Sequence, residues 1–162
     1  MWGAGGLVLH RQLEARQAAR TLDAVAVAQR VVDDIQQSLL REARLLAREP
    51  AVVTGAARGD WGMLARQASP RLISLSVEGI ADLLMLLDTN GTTLVQVPTT
   101  PRMVASGLAP PTAPAVRARV LGGRAYLLAT APILSLESVP VGIAAVGRRL
   151  GRVDRAFAGA PA

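Results

Sequence analysis

The chain has 162 residues, 51% of them hydrophobic and 19% charged, which is the balance of one globular domain and not of a disordered chain. It has no cysteine and a single histidine, His10, which excludes disulfides, thiolate nucleophiles and Cys/His metal clusters. The net charge is +6, every basic residue is arginine, and residues 101–162 carry the excess, with eight Arg against two acids.

Without lysine there is no Schiff-base or phosphate-loop lysine. Aromatic residues make up only 2%, which argues against base-stacking platforms, so no nucleic-acid partner is expected. His10 lies near the N-terminus, away from the strand-forming region, so no triad forms around it. No enzyme, cofactor or metal site is expected.

No stretch reaches the ~20 apolar residues that span a bilayer. The opening Met1–Leu9 is apolar but short, and lacks the basic start of a signal peptide. It reads either as the last turns of a membrane helix, with Trp2 as interfacial anchor, or as a frayed terminus.

Leu9 to Arg48 contains no proline or glycine. Val25, Val32, Leu39 and Leu46 recur every seven residues, with Ala28 and Ile35 between them. Ala24, Val31 and Leu45 widen this stripe, and Glu42 interrupts it beside Ala43. The pattern predicts a long amphipathic helix with a core-facing stripe. Forty residues at ~1.5 Å each give a rod of about 60 Å. That exceeds the width of a small domain, so part of the rod is expected to pack on a second copy. Glu49-Pro50 ends it.

A short helical turn is predicted from Pro50 to Ala57. Asp60 caps a further helix in which Trp61, Leu64, Ala68, Leu72 and Leu75 share a face. Pro70 is expected to kink or split that helix, and Gly79 to end it.

Leu83–Leu87 is a continuous apolar run and reads as a central strand. Asp88-Thr89-Asn90-Gly91 is a turn rather than the start of a calcium loop, because it supplies too few oxygens. Thr92 to Val97 returns as the second strand. Residues 98–114 hold five prolines and form a long loop.

Gly122-Gly123 makes a two-residue hairpin turn. Pairing Leu121 with Arg124 sets Arg119 opposite Tyr126 and Arg117 opposite Leu128. One face of the hairpin is then Val116, Ala118, Val120, Ala125, Leu127, Ala129 and Ala131, small enough for a helix to approach. The other carries Arg117, Arg119, Tyr126 and Thr130. Val141–Arg148 is a last, central strand, and Leu150–Ala158 begins an exit helix, with Arg148, Arg149, Arg152 and Arg155 around its start.

Three pieces carry a resemblance. They are Leu45-Leu46-Ala47-Arg48-Glu49-Pro50, then Asp82–Gly91 with its Asp-x-x-Gly turn, then Ala129-Thr130-Ala131-Pro132-Ile133 followed by Val141–Gly147. In this order and spacing, residues 20–150 resemble the extracytoplasmic Cache-type, PAS-like sensor domains of bacterial membrane receptors. The resemblance implies an α+β fold, in which a long N-terminal helix packs on a PAS-like antiparallel five-stranded sheet. It implies a periplasmic position between two membrane helices outside this sequence. The output would be a histidine kinase, a chemoreceptor or a cyclic-dinucleotide enzyme. The Arg-x-x-Arg-Trp signature of the amino-acid-binding members is missing, so no ligand identity carries over.

The expected organisation is a signalling and dimerisation helix over 1–50, a sensor domain over 51–150 and an exit segment over 151–162. The expected ligand is a small molecule, with carboxylate as the group that suits a guanidinium fork. Its expected site lies between the sheet and the 98–114 loop, at Arg119, Tyr126, Arg117, Arg124, Thr130 and Arg102. The competing readings are a solvated edge strand, whose charges block aggregation, and a ligand-free dimerisation or protein-binding module.

Overall fold

The computed structural model describes residues 3–99, 103, 108 and 112–151. The elements are α1 (Gly3–Arg48), α2 (Pro50–Arg58), α3 (Trp61–Val77), β1 (Leu83–Leu87), β2 (Thr93–Val97), β3 (Ala115–Leu121), β4 (Arg124–Leu134) and β5 (Pro140–Arg149). This is the expected α+β order, a long first helix ahead of a five-stranded antiparallel sheet.

The chain divides into two compact units, Met1–Asp34 and Ile35–Ala162, so the last turns of α1 belong with the sheet. In the first unit the helix begins at Gly3, six residues before the expected Leu9. Glycine there weakens a helix by only ~1 kcal/mol per residue and removes no donor, so it does not stop one. Leu22, Val25, Val27 and Val31 of this unit are exposed.

In the second unit Leu39, Ala43, Leu46 and Ala47 of α1 are buried, and Ile35 packs against them. The stripe is narrower than the sequence suggests: Leu45, expected to widen it, is 51% exposed. Glu49 is extended, as the residue before a proline prefers, and Pro50 opens α2.

Gly59 closes α2 in the left-handed region (φ 67°). Its N–H donates to the Ala56 carbonyl, and the Asp60 N–H donates to the Gly55 carbonyl, satisfying the last carbonyls of the helix. Asp60 then caps α3, its carboxylate accepting from the Met63 N–H at 3.0 Å. Pro70 does not split α3. Pro70 and Arg66, whose carbonyl loses its donor, both face solvent, while Leu64, Ala68, Leu72 and Leu75 hold the buried side. At Gly79 the same two-bond closure ends the helix, through Ile80 N–H to Leu75 and Gly79 N–H to Ser76.

The strand order is β2-β1-β5-β4-β3, with every neighbouring pair antiparallel. β5 is central and β1 stands beside it, each buried almost throughout, as the apolar runs predict. In the β1–β2 turn the Asp88 carboxylate accepts from the Asn90 and Thr92 N–H groups, each at 2.9 Å. The β3–β4 hairpin has the predicted register, Leu121 opposite Arg124, Arg119 opposite Tyr126 and Arg117 opposite Leu128. Gly122 and Gly123 supply the two positive φ angles this turn demands. β5 runs on to Arg149, because Tyr126 pairs with it, so Arg148 and Arg149 lie in the strand and not at a helix start. Leu150 and Gly151 are not helical, and the rest of the expected exit helix lies outside the described residues.

Each sheet face has its own core. On one, Leu84, Leu86, Ala129, Ala131, Ala144 and Val146 pack with α2, α3 and residues 35–48 of α1. Val116, Leu127, Ala129 and Ala131 join this core as expected of the hairpin's apolar face, whereas Ala118 and Val120 near the turn are exposed. Gly142 lets β5 lie tight against β1: a Cβ there would stand 2.9 Å from the Leu87 carbonyl oxygen, and in ordinary contact, 3.9 Å, with the Ala56 Cβ of α2.

Candidate functional site

The second face of the sheet is the one reserved for a ligand by the sequence reading. Strand alternation and register lay it out in rows across the strands. One row is Arg119, Tyr126 and Arg149; the next is Arg117, Leu128, Gly147 and Leu83; the third is Ala115, Thr130, Ala145, Met85 and Gln96. The expected residues thus do share a face, but in two environments. Tyr126 is 4% exposed and Thr130 is buried, whereas Arg117, Arg119 and Arg124 face solvent along edge strand β3 and its turn. Arg102 lies outside the described residues.

Apolar side chains fill the middle of this face. Leu83, Met85, Leu87, Leu128 and Ile143 are buried, and Met103 and Leu108 of the 98–114 loop pack on them. Gly147 makes room: a Cβ there would come within 3.2 Å of Leu128 and 3.4 Å of Leu83.

Gln96 fastens the loop. The Gln96 amide donates to the Pro98 carbonyl at 2.7 Å, and its oxygen accepts from the Met103 N–H at 2.8 Å. At the other end the Leu108 carbonyl lies where a Cβ of residue 91 would be, so only glycine lets the loop pass over the β1–β2 turn. Sequence reasoning missed Gln96. Its signal was a lone polar side chain in the apolar run Leu94–Val97, on the face that the loop crosses.

Arg149 is the other residue missed. The Tyr126–Arg149 pairing puts it in the row with Arg119, and its N–H donates to the Asp82 carboxylate at 2.9 Å. The chemical character is therefore an arginine-rich margin around a buried phenol, beside a closed apolar centre. Guanidinium groups on such a margin suit carboxylates and other anions.

This architecture is similar to that of two solved sensor domains. The sensor domain of the Vibrio cholerae histidine kinase DctB matches with a TM-score of 0.71 and 12% identity, over 91% of this chain and 60% of that one. The periplasmic domain of Vibrio cholerae LuxQ matches with a TM-score of 0.59 and 14% identity, over 85% of this chain and 70% of that one. The chain thus spans about 60% of the DctB domain's length. No protein-family model and no curated protein sequence matches it. The long helix ahead of a five-stranded antiparallel sheet is thus a fold shared with these two sensor domains.

Proposed function

We propose that the chain is the extracytoplasmic sensing domain of a bacterial signal-transduction receptor, a histidine kinase, chemoreceptor or cyclic-dinucleotide enzyme. It works by binding and not by catalysis, and it stands next to the membrane on the periplasmic side. Among the described residues no helix is long and apolar enough to cross a membrane, so in this reading the spanning helices lie outside the sequence.

The observation that carries the proposal is α1. Its last turns are part of the core beneath the sheet, and the same unbroken helix continues back to Gly3. In this reading a displacement of the sheet acts directly on the last turns of α1. A second copy pairs along the exposed residues Leu22 and Val25, which share a face of α1. A small carboxylate bound under the 98–114 loop, at Arg119, Tyr126, Arg117, Arg124, Thr130 and Arg102, shifts that balance if it binds two arrangements of the domain with different affinity.

A thermal-shift screen of small acids, amines and metabolites tests the binding. A hit whose shift is lost in Arg119→Ala supports it. A spin label in α1 of the full-length receptor tests transmission; unchanged label spacing on saturation with a hit would sink it.

A second reading is a ligand-free dimerisation or protein-binding module. It is favoured by the apolar centre of the second face, which the protein's own side chains fill. An empty screen with intact dimerisation selects it.

A further inference from the structure

A cleft of about 670 Å³ opens on the helix side of the sheet, opposite the Tyr126 face, where the end of α1, the start of α2 and the β4–β5 turn meet. That volume falls within the ~300–1,000 Å³ of ordinary small-molecule sites. Its walls are mostly apolar, with Val53, Ala131, Pro132 and Leu136 among them. Leu136 is 101% exposed at the rim.

Its polar groups are few and of one kind. Arg44 and Arg48 are four residues apart, so they share a face of α1. Neither enters an ion pair among the described residues. Among the described residues no Asp or Glu lines the cleft; Glu49 lines a separate one with Arg66 and Arg71. Thr54 and Thr112 add hydroxyls. Two unpaired guanidinium groups beside an apolar trough fit a molecule with one anionic end and one greasy end.

We propose that this cleft binds a small monocarboxylate with a short apolar body. Arg44 and Arg48 hold the carboxylate, the Thr54 and Thr112 hydroxyls complete its shell, and the apolar body lies along Ala131, Pro132 and Leu136. The ligand then touches α1 itself rather than acting on it through the sheet. The site does not depend on the second face having a ligand.

The test is an amide chemical-shift titration of the isotope-labelled chain with octanoate, with acetate and octanol as comparators. The expected result is saturable shifts at Thr54, Thr112, Ala131 and Leu136, with octanoate binding more tightly than either comparator. Arg44→Gln with Arg48→Gln weakens octanoate by about tenfold or more, as losing a charge-assisted pair should. Ala113→Trp, at an exposed rim position, fills the cleft and abolishes the shifts. Arg119→Ala leaves them unchanged, which separates this site from the one beneath the loop. All these substitutions are at exposed positions, so the fold survives them. The proposal is overturned by unsaturable shifts, by shifts centred on Met103 and Tyr126, by octanol matching octanoate, or by full affinity in the double Arg variant.

Discussion

The Arg71 guanidinium donates to the Glu42 carboxylate at 2.9 Å, tying α3 to α1. Glu42 holds the place, seven residues after Ile35, that an apolar residue would otherwise take. Its side chain is 11% exposed and that of Arg71 33%, so solvent screens the pair only in part. The apolar neighbours Leu39, Ala43 and Leu46 tolerate small slides; a directed ion pair does not. Glu42→Gln is expected to lower stability by about 1–3 kcal/mol, since it leaves a half-buried guanidinium with a weaker partner. Urea denaturation measures this, and an unchanged midpoint would show that the pair adds nothing.

Gln96→Leu should loosen the 98–114 loop. The substitution leaves the buried Met103 N–H without its acceptor, at a cost of about 1–3 kcal/mol. Amide hydrogen exchange at Met103 reports it directly, and exchange at wild-type rate would mean that the loop is held by other contacts.

Two glycines give a ranked prediction. An alanine Cβ at 142 meets a backbone oxygen at 2.9 Å, whereas one at 55 meets the Leu64 side chain at 2.7 Å. A leucine tip rotates aside more easily than a strand carbonyl moves. Gly142→Ala is therefore expected to destabilise by about 1–3 kcal/mol and Gly55→Ala by less. Thermal melts of the two variants check the order.

The proposed helix-mediated dimer has its own test. Leu22 and Val25 are 69% and 60% exposed within one chain, so replacing both with Glu should leave the sheet intact. Association, followed by analytical ultracentrifugation, should weaken by about tenfold or more, as two buried apolar contacts become charged. A double variant that associates as well as the parent chain places the dimer contact elsewhere.

What the sequence made legible was set by local chemistry. Gly122-Gly123 dictated one turn type, and that alone fixed the pairing of Arg119 with Tyr126. Asp60 announced its helix, and Leu83–Leu87 announced an inner strand. What stayed hidden depended on partners far along the chain. The placing of Arg149 beside Tyr126 needs the β4–β5 register beyond a loop, and the task of Gln96 needs to know where Met103 returns. Pro70 and Gly3 misled for another reason: each weakens a helix by an amount that neighbouring turns and solvent absorb.

The central strand of the sheet is also the last to be synthesised. Until β5 leaves the ribosome, β1–β2 and β3–β4 are two hairpins with no strand to join them, and Asp82 waits for a backbone donor 67 residues further on. α1 by contrast is complete before any strand exists. The nascent chain therefore carries a finished helix well before it owns a folded sheet. The sheet closes last, when residues 140–149 arrive to join the two hairpins.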